Sequence, residues 1–287
     1  MESIIREAVF DHMDANNFLV ECQHGFISKR SCVTNFLCIL DSWTKYLDES
    51  LPVDAIYLDF AKAFDSLPHQ RMLNKLVSYG IKENLLTWIK EFLVGRKQRV
   101  GLNGSFSSWA SVSSGVPQGS VLGPVLFVIF INDMPEVVDS ICQMYADDTK
   151  IFYPVDSKQS GEQLQQDLDN LMKWSHKWQL RFNAGKCKVL HLGRSNQEYT
   201  YCMKDHGSDK IENLESSEGE KDLGILVDHE LKFSRHVETQ VNKANKILGM
   251  VRRSYQYLDG ETLRMLFTAL IRPHLEFANV AWSPRYQ

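Results

Sequence analysis

Apolar positions recur along this chain with two periods, and the change from one to the other marks its elements. Val33, Phe36, Leu37, Leu40, Trp43 and Leu47 follow the spacing of an amphipathic helix, with Ser31 placed as its N-cap. Val53–Leu58 is a mostly apolar run suited to a buried strand. Helical patterns fill Gln70–Tyr79 and Leu85–Val94, each stopped by a glycine, Gly80 and Gly95. Arg99–Leu102 reads as a strand that turns at Asn103-Gly104 toward Ser107–Val112, because an Asn-Gly pair supplies the positive φ angles a tight hairpin needs. An apolar helix follows Pro124 up to Ile131, and then a strand–turn–strand from Ile141 to Tyr153. Leu164, Leu168, Leu171 and Trp178 mark another helix, and Lys188–Leu192 another strand. Residues 195–220 are polar and read as a loop with weak strands. Beyond them Val237, Val241, Ala244, Leu248, Val251 and Tyr255 form a heptad-like seam. The order predicts an α+β fold with a mainly antiparallel sheet packed on helices.

With 287 residues, 44% of them hydrophobic, the chain can bury a sizeable core in one large domain or two to three subdomains. No apolar run approaches the ~18 residues of a membrane span, and no secretory start is visible. The six cysteines include no C-x-x-C pair, which predicts reduced intracellular thiols rather than a disulfide frame or a zinc knuckle. The net charge of −4 is unevenly spread. From residue 231 onward nine Lys or Arg stand against four Asp or Glu, leaving an acidic front and a basic tail. Such a tail suits the grip of a nucleic-acid backbone, or is an ordinary charged surface. Lys243, Lys246 and Arg253 fall on a different helix face from the apolar seam, where they either follow phosphates or form a solvated face.

The acids at the strand–turn–strand carry more chemistry. Asp147 and Asp148 are adjacent in Tyr145-Ala146-Asp147-Asp148, and side-by-side carboxylates repel unless a positive group joins them. A hard divalent cation with oxygen ligands, Mg²⁺ above all, is the usual partner; a solvated turn is the plainer reading. Asp59 closes the apolar strand Val53–Leu58, where it is either a turn residue or a third ligand. If the two strands are neighbours, three carboxylates converge as in two-metal phosphoryl-transfer sites, with ions about 3.5–4 Å apart. Between them Ser114-Gly115-Val116-Pro117-Gln118-Gly119-Ser120 is a loop whose glycines permit close approach to a ligand and whose Gln118 both donates and accepts.

In chain order, Leu58-Asp59 with Ala63-Phe64-Asp65, then Gly115–Ser120, then Tyr145–Asp148 resemble reverse transcriptases, more narrowly the polymerase domain of non-LTR (LINE-type) retrotransposons. Gln23-His24-Gly25-Phe26, Gly95–Val100, Trp178–Asn183 with Lys186, Lys221–Ile225 and Arg272–Ala278 extend the resemblance over essentially the whole chain. It implies a right-hand polymerase: residues 1–52 as partial fingers, 53–230 as a palm with fingers insertions, and 231–287 as a helical thumb. It implies RNA-directed DNA synthesis from dNTPs onto a DNA primer on an RNA template. Asp59, Asp147 and Asp148 would hold two Mg²⁺ ions, or Mn²⁺ in their place.

By the same resemblance Phe64 is the aromatic gate against a ribose 2′-hydroxyl. Gln118 and Gly119 lie near the incoming nucleotide, Tyr145 beside the primer terminus, and Lys186 is the general acid for pyrophosphate. Lys29 and Arg30 are candidates for the triphosphate, although Ile27 stands where the family commonly has a second basic residue. The resemblance also implies a fragment of a longer retroelement polyprotein, beginning partway through the fingers, and a nuclear place of work; the oligomeric state stays open. Two rivals remain. An RNA-dependent RNA polymerase shares the acidic palm, but Phe64 and the Gln118 loop speak against it. A truncated or domesticated, catalytically silent nucleic-acid-binding protein would keep the same acids.

Overall fold

The structure is a computed structural model and describes residues 1–204, 210–255, 257 and 259–283. It opens with a helix the sequence reading does not anticipate, α1 (Glu2–Ala15), whose Val9 and Met13 are buried. The Glu2 carboxylate accepts from the backbone N–H of Val121 and Leu122, 2.7 and 3.1 Å away, and so caps a later helix. The second helix, α2 (Cys32–Asp48), starts as expected at Ser31, which forms a reciprocal capping box with Thr34. Its buried face is Asn35, Phe36, Ile39 and Trp43, while Leu37 is turned to solvent.

Strand β1 (Val53–Leu58) has the bounds the sequence gives, and α3 (Ala63–Ser66), α4 (His69–Ser78) and α5 (Glu83–Leu93) follow. The expected hairpin is broken into two short ladders, β2 (Lys97–Gln98) with β5 (Ala110–Ser111) and β3 (Gly101–Leu102) with β4 (Ser105–Phe106). Asn103 and Gly104 form its tip with φ of +49° and +82°. Helix α6 (Leu122–Ile131) is apolar all round because it is buried all round. Then come β6 (Ile141–Tyr145), β7 (Asp148–Pro154), α7 (Lys158–Trp178) and β8 (Lys188–Leu192). Where a loop with weak strands is expected, β9 (Cys202–Lys204), β10 (Ile211–Asn213), β11 (Glu215–Ser217) and β12 (Gly219–Asp222) form, and β13 (Ile225–Asp228) pairs with β12. Helices α8 (Ser234–Ser254), α9 (Gly260–Leu266), α10 (Arg272–Glu276) and α11 (Asn279–Trp282) complete the described chain. No helix among the described residues is long and apolar enough to cross a membrane.

The main sheet has five strands in the order β11-β8-β1-β7-β6. All its pairs are antiparallel except β11 on β8, so the sheet is mixed at one edge. β1 lies at its centre and is covered on both faces, which explains its nearly unbroken apolar run. Ile56, Leu58, Met144, Ile151 and Val189 point into a core shared with α1, α4, α6 and α7. The alternate positions Val53, Ala55, Phe152, Leu190 and Leu192 join Phe36, Ile39 and Trp43 of α2 and Ile225 and Val227 of β13 on the other face. The fully buried Asp54 is compensated by His191 Nδ1, Asn196 Nδ2 and the Tyr201 hydroxyl at 2.7, 2.8 and 2.7 Å, which tie β1 to β8 and to the segment after it.

The α8 seam departs from the heptad reading. The buried positions are His236, Gln240, Ala244 and Val251, whereas Val241 and Tyr255 are exposed. The reason is the surface that α8 meets: His236 Nδ1 accepts from the Leu226 N–H of β13 at 3.1 Å, and its ring packs edge-on against Trp282.

Candidate active site

Strand register brings Asp59 and Asp148 to one end of the sheet. The last β1–β7 pair is Leu58 with Thr149, so Asp59 emerges beside Asp148 at the same end of the sheet. Side chains alternate along strands, which sets Asp59 and Asp148 on one face. Tyr145 pairs with Asp148 and closes the β6–β7 hairpin, leaving Ala146 and Asp147 as its two-residue tip. Ala146 adopts φ of +55°, a left-handed conformation that costs a residue with a Cβ about 1–2 kcal/mol.

A clamp from the N-terminal segment holds that tip. The buried Gln23 side chain accepts from Ala146 N–H at 2.9 Å and Gly25 N–H at 2.7 Å, and donates to the Ala146 carbonyl at 3.4 Å. Gly25 lies so close that a Cβ there would stand 2.3 Å from the Ala146 nitrogen. His24 N–H donates to the Met144 carbonyl, and Met144 N–H to that of Cys22, at 2.8 and 2.9 Å. Sequence reasoning marked Gln23-His24-Gly25-Phe26 as a motif and missed its contact with the hairpin; a polar residue two before a glycine was the only local signal.

The segment after α7 buttresses Asp59. Asn183 N–H donates to the Asp59 carbonyl at 2.7 Å, Ala61 N–H to that of Arg181 at 2.8 Å, and the Phe60 and Phe182 rings stack 4.5 Å apart. These contacts deliver Lys186, whose Nζ stands 3.8 Å from Asp59 Oδ1. Both groups are substantially exposed, so the attraction is weak.

Burial, above all, and then the Asp59 charge raise the Asp147 carboxyl above its ordinary range. Asp148 is raised by burial first and by Asp147, Asp222 and Asp59, with Lys150 opposing. Lys150 and Asp222 form an ion pair in which both side chains are almost wholly buried. It joins β7, two residues past Asp148, to β12, and the Lys150 Nζ lies 5.5 Å from the Tyr57 ring centre. Removing one partner strands the other charge, so Asp222→Ala is expected to lose about 3–5 kcal/mol in a denaturant titration. The double variant Lys150→Met/Asp222→Leu recovers most of that loss.

The donor set suits a hard cation: the carboxylates are adjacent, and Asp59 Oδ1 is screened from solvent without a hydrogen-bond partner. Among the described residues, however, no three His, Cys, Asp or Glu side chains are grouped closely enough to hold a metal ion.

The glycine loop docks on α3. Val116 N–H donates to the Phe64 carbonyl and Gly115 N–H to that of Leu67, both at 2.8 Å. Gly115 has φ of +80° and a Cβ there would meet the Asp65 carbonyl oxygen at 2.6 Å, so glycine is required. Gln118 Nε2 donates to Asp65 Oδ1 at 2.8 Å, giving Asp65 a side-chain partner. The Phe64 ring packs 4.6 Å from Phe127. A cleft of about 730 Å³ runs along this loop, lined by Lys62, Asp65, Arg96, Gln98, Ser114 and Gln118. Gly119, at φ of +78°, faces open space.

The other expected residues take these positions. Arg30 Nη1 donates to the carbonyls of Val20, Glu21 and Gln23 at 3.0, 2.9 and 2.6 Å, so this nitrogen braces the clamp loop. Lys29 is exposed beside it and Tyr145 is half-buried. Lys243, Lys246 and Arg253 are exposed on α8, which packs on β13 and on α10.

Residues 1–251 match the family described as reverse transcriptase (RNA-dependent DNA polymerase). The chain belongs to that family. It is 28% identical over 296 residues to the RNA-directed DNA polymerase from mobile element jockey of Drosophila funebris, covering 97% of this chain and 31% of that protein. The jockey polymerase of Drosophila melanogaster is 28% identical over 254 residues, covering 85% and 27%. This reverse transcriptase chain thus spans about a third of the length of those relatives. Its fold is like that of Candida tropicalis telomerase solved with a fragment of telomeric RNA, at a TM-score of 0.56 and 10% identity over 98% of this chain and 46% of that one. Apo telomerase from the same organism gives 0.55 and 11%, over 79% of this chain and 43% of that one. The likeness to non-LTR retrotransposon polymerases and the mixed α+β fold both agree with the sequence reading.

Proposed function

We propose that this reverse transcriptase chain carries a two-metal RNA-directed DNA polymerase centre on Asp59, Asp147 and Asp148. The observation that supports this is the β1–β7 register, which sets Asp59 beside Asp148, with Asp59 Oδ1 accepting no hydrogen bond. Two Mg²⁺ ions, or Mn²⁺, would lower the pKa of the primer 3′-hydroxyl and neutralise the leaving pyrophosphate. The carboxylates hold that charge in place, so positioning supplies most of the catalysis. Lys186, beside Asp59, would give a proton to pyrophosphate; Gln118, held by Asp65, and Gly119 would border the nucleotide, with Lys29 toward the triphosphate. Tyr145 would stand under the primer end. Residues 1–52 are read as partial fingers, 53–230 as palm and 231–287 as thumb, with Lys243, Lys246 and Arg253 along the duplex. A nuclear location follows from the family alone.

Phe64 would exclude a ribose 2′-hydroxyl, since a bare ring offers it no hydrogen bond. Phe64→Ala is expected to raise rNTP use relative to dNTP use about tenfold in primer extension, the scale of a reshaped apolar pocket. An unchanged ratio removes Phe64 from the gate.

The primary test is primer extension on an RNA template with Mg²⁺, supplying dNTPs or rNTPs. Synthesis from dNTPs supports the reading; a preference for rNTPs revives the RNA polymerase. The ungrouped acids favour one second reading, a catalytically silent nucleic-acid-binding protein. Folded protein that binds RNA salt-sensitively and makes no product supports that reading.

A further inference from the structure

The β2–β5 hairpin buries almost nothing and yet carries large apolar side chains. Phe106 and Trp109 are 61% and 60% exposed, and Val100 and Leu102 are both 72% exposed. The Arg99 guanidinium carbon lies 4.0 Å from the Phe106 ring centre and 4.7 Å from that of Trp109. Arg99 makes no hydrogen bond or ion pair with the described residues, and its guanidinium lies over the two rings. The Phe106 ring lies over Gly101, where a Cβ would stand 2.8 Å from its Cε1. Two flat rings and one planar cation therefore form an ordered, solvent-facing surface.

Its charge selects the occupant. Arg96, Lys97 and Arg99 are the only charged residues from 92 to 132, a stretch without a single carboxylate. A polypeptide covering this face would have to bring its own acids to match those cations. A single-stranded nucleic acid brings phosphates for the cations and a stacking face on every base. The surface is also continuous with the cleft beside Gln118, because Arg96, Gln98 and Ser111 both line that cleft and begin or end the hairpin.

We propose that this hairpin is a stacking platform for single-stranded RNA, the unpaired template ahead of the copied position. The idea rests on the polymerase reading for the identity of the strand, and on the hairpin alone for its binding. Bases stack on Trp109 and on the Arg99–Phe106 layer while Lys97 meets the backbone. Such contacts tolerate any sequence, as a copied strand demands.

The test is fluorescence anisotropy of the full chain with a labelled primer–template, either blunt or with a long 5′ RNA overhang, compared at matched salt concentrations across a series. Phe106→Ser/Trp109→Ser is expected to bind the overhanging substrate about tenfold more weakly and the blunt one unchanged, the scale of lost base–aromatic stacking. Trp109→Phe retains tight binding. Arg99→Gln, which leaves both rings in place, weakens overhang binding and its salt dependence and decides the matter if the double variant does not fold. Equal affinity of Arg99→Gln or of the folded double variant for the overhang overturns the platform. So does an equal loss on blunt and overhanging substrates. Repeating the measurement with Asp147→Asn separates the two ideas: overhang-dependent binding without synthesis leaves the platform standing, and synthesis without overhang dependence leaves only the polymerase.

Discussion

Asp147→Asn is expected to slow dNTP incorporation about a thousandfold, because an amide supplies no negative charge to hold a cation at the reacting phosphate. The same variant is expected to melt higher than the parent at neutral pH. The folded state raises the Asp147 carboxyl through burial and the Asp59 charge, so the native chain binds its proton more tightly than the unfolded chain. Stability from this group is therefore present below the ordinary carboxylate range, falls as pH rises toward the raised value, and stays lost above it. Asn does not ionise and escapes that loss. The gain should be seen at neutral pH and vanish below about pH 4, near the unperturbed carboxyl pKa. Melting curves of both proteins over pH, beside the extension assay, check this. Retained synthesis removes Asp147 from the centre, and a lower midpoint at neutral pH gives it a structural role instead.

The second large effect is expected far from Asp147 in sequence. Gln23→Ala leaves the N–H groups of Ala146 and Gly25 without their shared acceptor. Each buried donor left unpaired costs about 1–3 kcal/mol, and the strained Ala146 conformation loses its brace. The hairpin tip should relax, carrying Asp147 away from Asp59 and reducing synthesis about a hundredfold, with primer–template affinity little changed. Gly25→Ala should act at least as strongly, since its Cβ meets backbone that has no room to move. Hydrogen exchange at the Ala146 amide gives the structural readout: faster exchange in both variants with slower synthesis is the expected pair. Unchanged exchange with lost activity would assign Gln23 a direct role in substrate contact.

The parts of the fold that were legible in the sequence are those set by near neighbours. The Ser31 cap, the bounds of β1 and β8, the Asn103-Gly104 tip and the acidic turn all depend on residues a few positions apart. Helix α1 goes beyond the elements the sequence pattern predicts, although Ile5, Val9 and Met13 repeat at helical spacing. The seam of α8 departs from its apolar periodicity because that pattern assumes an apolar partner. His236 and Gln240 are buried instead, with His236 bonded to the edge of β13 and packed against Trp282.

The sequence by itself determined the family, through the resemblance its ordered motifs carry, and the strands and turns that hold the acids, because local spacing suffices for those. Only the tertiary structure decided which groups meet. Gln23 and Ala146 are 123 residues apart, Lys150 and Asp222 72, and Gln118 and Asp65 53. Asp59 reaches Asp148 because β7 is hydrogen-bonded beside β1 in one register, and a slip of one residue would turn one of them to the opposite face. That register is fixed by two cores on opposite faces of the sheet, built from residues across most of the chain. Local pattern records which face a side chain prefers; only the packed chain selects its partner.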